Sequence, residues 1–188
     1  MDDLVLCRHG ESETAAAGVV GGDAALTVIG RAQASELGRA LAERPFDVCF
    51  TSPALRARQT AELALEGRDV PQAVLPDLAD IDFGAFTSGP LHEYRAWIAA
   101  HGPAEAPPGG ESRVATLRRF CRAYRALLGR AESHLLVIAH GLTLSALNDD
   151  PPQPSVAGVP YGSSLALSRA ELTAAVARLE RWCEAPAW

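Results

Sequence analysis

Two stretches of this 188-residue chain place a histidine and a glycine directly after an apolar run. One is Leu4-Val5-Leu6-Cys7-Arg8-His9-Gly10. The other is His134-Leu135-Leu136-Val137-Ile138-Ala139-His140-Gly141. An imidazole at the end of a buried strand sits at the mouth of a sheet, and the glycine lets backbone come close to a ligand. Where a helix follows, its first N–H groups point at an anion. A third apolar run, Asp47–Thr51, ends in Ser52-Pro53 and leads into a helix that carries Arg56 one turn in. In open α/β sheets ligands bind outside the carboxyl ends of the strands. That rule selects Arg8-His9, Thr51-Ser52 and Ala139-His140, and Arg8, His9, Arg56 and His140 together make a site for a dianion. Arg58 lies two residues beyond Arg56 and faces elsewhere, towards solvent.

The elements that position these residues can be read in order. Leu4–Cys7 is a strand, and Gly10 to Gly22 reads as a loop. From Thr27 the apolar residues Ile29, Ala32, Leu37 and Leu41 recur at near-helical spacing until Arg44-Pro45. After the strand Asp47–Thr51, Ser52 reads as a helix cap with Pro53 at the first helical position. Ala73–Leu75 is a weak strand, and Pro76 to Gly89 is irregular and carries Asp77, Asp80 and Asp82. Leu91–His101 is helical with Tyr94, Trp97 and Ile98 on one face. Gly102 to Gly110 is loop-like, and Glu111–Leu128 is a long helix with an apolar face. Its Arg118, Arg119, Arg122 and Arg125 read as a solvated face. His134–Ala139 is the most apolar strand, Leu142–Leu147 is helical, Asn148 to Pro160 is a loop, and Ser164–Leu167 is a short strand. Beyond it Leu172, Val176, Leu179 and Cys183 fit a helix, while Val176–Trp182 also fits the return arm of a hairpin. Alternating strands and helices predict an α/β fold with helices on both faces of a mostly parallel sheet, in a single domain over residues 1–188.

Composition narrows the function. The chain is 48% hydrophobic and 21% charged, with a formal charge of −6, which argues against a nucleic-acid surface but leaves room for a small basic pocket. No apolar run approaches the roughly 20 residues of a membrane span, and the acidic start Met1-Asp2-Asp3 does not read as a signal peptide. Cys7, Cys49, Cys121 and Cys183 are scattered without metal-ligand spacing, as reduced thiols of a cytoplasmic protein would be. No metal or other cofactor is expected, and the protein is expected as a monomer or homodimer.

Arg8-His9-Gly10-Glu11-Ser12 resembles the Arg-His-Gly-Glu-Ser/Thr signature of the histidine phosphatase superfamily, in the branch that holds phosphoglycerate mutases and small-molecule phosphatases. The resemblance continues through Asp23-Ala-Ala-Leu-Thr-Val-Ile-Gly-Arg-Ala-Gln33, Ser52-Pro-Ala-Leu-Arg-Ala-Arg-Gln-Thr-Ala61, Pro108-Gly-Gly-Glu-Ser112 and Val137-Ile-Ala-His-Gly141. It covers roughly residues 4 to 168 in the right order.

The resemblance implies that His9 attacks phosphorus and forms a phosphohistidine, with Arg8, Arg56, His140 and backbone N–H groups near Gly141 holding the phosphoryl oxygens. It aligns Asp80, in Leu78-Ala-Asp-Ile-Asp-Phe-Gly84, with the family's Glu proton donor, and Asp82 is the competing candidate. Three positions depart from the pattern. Ala15 stands where the family often has an Asn phosphate ligand, a role that Ser12, Thr14 or a backbone amide would have to fill. Thr87 stands where many phosphatase members have Glu, and Ala139 precedes the second His in place of Ser.

The implied activity is hydrolysis of a small phosphorylated metabolite. Mutase-type transfer is the nearest alternative, less favoured because mutases are typically longer. A phosphohistidine-protein phosphatase is a further enzymatic reading, and a phosphate-binding scaffold or regulatory protein is the reading from a different class. Specificity is expected in Ala15–Ala25, Ile81–Trp97 and Asn148–Pro160. His92, His101 and His134 are expected to be structural or exposed, and Trp97 to be core.

Overall fold

A computed structural model describes residues 1–148 and 159–188. Its centre is a five-stranded sheet in the order β3-β2-β4-β1-β5. The strands are β1 (Asp3–Arg8), β2 (Val48–Thr51), β3 (Gln72–Val74), β4 (His134–Ala139) and β5 (Ser164–Ser168). The first four run parallel, and β5 closes the edge antiparallel to β1. The parallel strands β1, β2 and β4 are apolar on both faces because helices cover both. Alternate residues separate cleanly. Val5, Cys7, Cys49, Leu136 and Ile138 pack on one side with Leu37, Ala57 and Ala61. Leu4, Leu6, Phe50, Leu135 and Val137 pack on the other with Leu117, Phe120, Tyr124, Leu172 and Leu179.

The first layer is α2 (Val28–Ala40) and α3 (Leu55–Ala64), after a single-turn α1 (Glu13–Ala16). The second is α5 (Arg113–Leu128), α6 (Gly141–Asn148) and α7 (Arg169–Glu184). The short α4 (Leu91–Ala100) lies outside both layers. Its Tyr94 and Ile98, with Val20, form a small separate core against Phe83, Phe86, Leu91 and Trp97. The expected three-layer arrangement is therefore present, and no helix among the described residues is long and apolar enough to cross a membrane.

Several local expectations change. Ser52 does not cap α3: the N-cap is Ala54, and the helix starts at Leu55. The Ser52 hydroxyl instead accepts from the Ala54 N–H and reaches a histidine ring, as described below. The stretch from Gly10 to Gly22 contains α1, because Ser12 offers its hydroxyl to the Ala15 N–H as an N-cap. The long helix starts at Arg113 with Ser112 as cap, not at Glu111, whose side chain is turned to Arg119. The C-terminal ambiguity resolves as a helix. Ser168 and Glu171 form a reciprocal capping box that ends β5 and starts α7. Most of the Asn148–Pro160 loop lies outside the described residues.

Candidate active site

The parallel strands end together, and their ends supply the cluster. The β1 chain leaves the sheet with the His9 N–H bonded to the Ala139 carbonyl at 3.0 Å, which ties the two histidine-bearing strand ends together. The next turn passes so close to α2 that no side chain fits. A Cβ on Gly10 would lie 2.3 Å from the Gly30 carbonyl oxygen, and one on Gly30 would lie 1.9 Å from that of Glu11. Side chains of the sequence motifs then hold this turn in place. The Gly10 N–H donates to Thr60 Oγ1 at 3.1 Å, and the Thr60 hydroxyl donates to the Arg56 carbonyl at 2.7 Å. The Glu11 N–H donates to Gln33 at 2.8 Å, and the Thr27 hydroxyl donates to the Glu11 carboxylate at 2.9 Å. The resembling segments are thus largely the scaffold of one loop.

His9 and His140 are both almost fully buried, with ring centroids 5.1 Å apart in an edge-to-face arrangement. His9 Nδ1 lies 2.6 Å from the Gly10 carbonyl oxygen, which can only accept, so the proton resides on Nδ1. Nε2 is left with its lone pair, and Arg56 Nε donates to it at 3.2 Å. Arg56 is the hub. Its other nitrogens donate to the Gly22 carbonyl at 3.0 Å and to Asp80 Oδ2 at 3.1 Å, and Nη2 lies 3.4 Å from His140 Nδ1. On the far side of its ring, His140 Nε2 is 2.9 Å from Ser52 Oγ. A neutral His140 that accepts from Arg56 on Nδ1 donates from Nε2 to Ser52. The serine at the third strand end therefore orients the second histidine.

Arg8 reaches the cluster with its guanidinium 3.7 Å above the Tyr161 ring and one nitrogen bonded to the Val159 carbonyl. Its Nε is buried without a hydrogen-bond partner among the described residues, a donor left over for a ligand. Asp80 meets Arg56 and His140, whereas the Asp82 carboxylate is taken up by the Gly84 N–H at 2.9 Å. Gly141 lines the same cavity as Arg8, His9 and Asp80, a space of about 280 Å³. Ser12 and Thr14 hydrogen-bond to each other at 3.2 Å within the α1 cap and do not line that cavity, and neither does Ala15.

Three contributors were not visible as such in the sequence. Tyr161 follows a loop with no periodic signal, and only the adjacent Gly162 hinted at a turn. Arg119 was expected on a solvated face, and this is a correction. Its side chain is 14% exposed and donates to the carbonyls of Asp77, Ala79 and Asp80 while pairing with Glu111. It staples the Asp80 loop to α5. Its neighbours Arg122 and Arg125 do lie on the surface, paired with Asp77 and Glu180. Arg113, the first residue of α5, is buried and lines the cavity.

Burial sets the charge state of both rings. Desolvation, then the charges of His140 and Arg56, hold His9 well below the usual 6.5. Desolvation pushes His140 down to about 4, with Asp80 opposing and Arg56 and Arg8 adding to the shift. Both are neutral at pH 7. Burial acts to raise the Asp80 carboxyl, but its interactions with His140, Arg56 and His9 outweigh it and hold it below its ordinary value. Two guanidinium groups facing one carboxylate leave the cluster net positive, which suits a phosphate dianion.

The shifts predict how stability depends on pH. Between pH 6.5 and about 4 the unfolded chain binds protons on these rings that the folded chain refuses, so stability falls as pH is lowered through that window. For His140 the shift from 6.5 to about 4 corresponds to a loss of about 3 kcal/mol. The half-buried His134, raised by its hydrogen bond to Asp3, has the opposite sign: its contribution is present below 6.5 and lost as pH rises. Urea unfolding at pH 7, 6 and 5 is expected to show a falling midpoint, with a shallower fall in His140→Gln. An unchanged slope in that variant would remove the assignment.

Fold and site define an α/β protein whose parallel strand ends bring two histidines together with Arg8 and Arg56. The chain belongs to the histidine phosphatase superfamily (branch 1), whose family model matches residues 4–183. The adenosylcobalamin/alpha-ribazole phosphatase of Salmonella typhimurium is 39% identical over 155 residues, covering 77% of this chain and 76% of that protein. The 2,3-bisphosphoglycerate-dependent phosphoglycerate mutase of Methylobacterium sp. (strain 4-46) is 37% identical over 165 residues, covering 77% of each. The crystal structure of the alpha-ribazole phosphatase from Shigella flexneri matches with a TM-score of 0.73 at 26% identity, over 87% of this chain and 89% of that one. The relatives are thus named as phosphatases and as phosphoglycerate mutases.

Proposed function

We propose that the protein is a metal-independent phosphomonoesterase that hydrolyses a small phosphorylated metabolite through a phosphohistidine on His9. The observation that carries the reading is Arg56, which hydrogen-bonds at once to His9 Nε2 and to Asp80. A phosphoryl group held by this guanidinium lies between a neutral nucleophile and a carboxyl group. In the first step the Arg56 Nε–H, keeping its proton, shifts its hydrogen bond from His9 Nε2 to a phosphoryl oxygen, and the freed Nε2 lone pair attacks phosphorus. The P–O bond to the leaving group breaks as the P–N bond forms, and Asp80 supplies the alcohol's proton. In the second step Asp80 takes a proton from water, which attacks phosphorus and releases inorganic phosphate and neutral His9. Arg8, Arg56, His140 and the Gly141 N–H spread the transition-state charge over the non-bridging oxygens.

The Salmonella relative's name puts a phosphorylated ribazole among the substrates to try, and the Methylobacterium relative's name puts phosphoglycerates there. The test is release of inorganic phosphate, in the presence of EDTA, from 4-nitrophenyl phosphate and from a panel of nucleoside, sugar and glycerate phosphates. Turnover with an acid-labile phosphoprotein is expected. Isomerised phosphoglycerate without free phosphate would favour mutase-type transfer. Phosphate binding with no turnover on the whole panel would leave a phosphate-binding scaffold.

A further inference from the structure

We infer that Tyr161 is a positioning residue for the oxyanion site: its ring fixes the plane of the Arg8 guanidinium, so that Arg8 Nε is presented to a phosphoryl oxygen. This role rests on the phosphomonoesterase reading, because the phosphoryl group held there is the one His9 attacks. Arg8 is the last residue of β1, and its long side chain leaves the strand end with many rotamers open to it. Two contacts limit them. Nη1 donates to the Val159 carbonyl, and the guanidinium carbon lies 3.7 Å from the centre of the Tyr161 ring. One hydrogen bond alone lets the group turn about the N···O axis. A ring face against the guanidinium removes that freedom, and cation–π attraction favours the arrangement. What is left over is Nε, buried without a hydrogen-bond partner among the described residues. A buried N–H without an acceptor is costly, so the arrangement is completed by an incoming oxygen.

The chain on either side of Tyr161 holds the ring in that place. The Gly162 N–H donates to the Arg8 and His9 carbonyl oxygens at 3.2 and 3.3 Å, and the Arg8 N–H donates to the Ser163 carbonyl at 2.9 Å. The residues that follow Tyr161 thus grip the backbone of the two residues whose side chains meet its ring. Gly162 makes the turn with φ at 70°, in the left-handed region that a side chain would strain. The ring also lies 5.7 Å from that of His9, tilted by 44°, and lines the cavity beside the nucleophile. Burial lowers the Arg8 guanidinium from its usual value, and Tyr161 leads the groups that oppose the shift. Tyr161 moves no proton in the reaction. It acts through Arg8, on how firmly the phosphoryl oxygens are held.

Binding is measured by calorimetry with tungstate, a tetrahedral oxyanion that needs no turnover. Tyr161→Leu and Tyr161→Met are expected to weaken it about tenfold, the size of one desolvated cation–π contact. They are independent replacements at a half-buried position, so misfolding of one leaves the other to decide. Tyr161→Phe, which keeps the ring, is expected to recover affinity to within about threefold of wild type. In an Arg8→Ala background, with Arg56 still in place to hold the anion, Tyr161→Leu is expected to change affinity by less than about twofold, because the group it positions is gone. With 4-nitrophenyl phosphate kcat/KM should fall in Tyr161→Leu while its pH profile keeps its shape. Wild-type affinity in both Tyr161→Leu and Tyr161→Met would overturn the inference. So would a loss in Tyr161→Phe equal to that in Tyr161→Leu, which would give the role to the hydroxyl, or the same loss with and without Arg8, which would make the ring a direct ligand contact or a part of the fold. The phosphatase reading is judged separately by phosphate release from the wild type. If turnover is absent while the tungstate pattern holds, the positioning role stands and the hydrolytic reading falls.

Discussion

His9→Ala is expected to lower turnover by about 10⁴-fold or more and to leave no phosphorylated protein, on the pattern of enzymes that lose a covalent nucleophile. The expectation follows from the hydrogen bonds rather than from position alone. The Gly10 carbonyl fixes the proton on Nδ1, and burial keeps the ring neutral, so Nε2 is a nucleophile across the neutral range. Among the described residues, no other side chain offers an equivalent lone pair beside Arg56. Asp80 pairs with Arg56 and His140, and His140 is committed to Ser52 on one nitrogen and faces Arg56 and Asp80 with the other. The fold should survive, because the turn is held by Thr60, Gln33 and the Gly10–Gly30 contact rather than by the ring. Far-UV circular dichroism and denaturant unfolding check this. Phosphate release and alkali-quenched labelling from a radioactive substrate check the chemistry. Residual activity within tenfold of wild type, in a folded variant, would move the nucleophile elsewhere.

Much of this was legible because strand ends are written plainly. A buried parallel strand is a continuous apolar run, and it must stop where the chain meets the site, so Arg8-His9, Thr51-Ser52 and Ala139-His140 stand out against their surroundings. Arg56 followed from helical geometry, one turn beyond such an end. What sequence could not show is side-chain direction on long residues. Arg119 and Arg122 share one helix and one residue type, yet Arg119 folds inward to three loop carbonyls while Arg122 stays on the surface. The difference lies in which loop packs above the helix, and no periodicity encodes that. Ser52 carried a signal with two readings, because Ser-Pro before a helix is ordinarily a cap. The ring of His140 outcompeted the helix for its hydroxyl, and Ala54 took the cap position without a side-chain bond. Tyr161 reaches Arg8 and His9 only through tertiary folding of a loop.

Asp80→Asn is expected to lower kcat by about 10²- to 10⁴-fold for alkyl phosphates, the range of a lost general acid, and by much less for 4-nitrophenyl phosphate, whose phenolate leaves without a proton. The charge of the ligand turns the resting carboxylate into an acid. Arg56 and His140 hold the free Asp80 carboxyl ionised. A phosphate dianion entering the cluster draws off the Arg56 N–H groups and places negative charge beside the carboxylate, and both changes raise its pKa. Substrate binding therefore loads the proton that the leaving group needs, and departure of the alcohol restores the base that activates water. The same repulsion predicts that Asp80→Asn binds phosphate and vanadate at least as tightly as wild type, since the neutral amide no longer opposes the dianion. A plot of log kcat against leaving-group pKa should steepen in the variant. Parallel plots, with one uniform loss for every leaving group, would mean that Asp80 only positions Arg56, and the proton would have to come from another group.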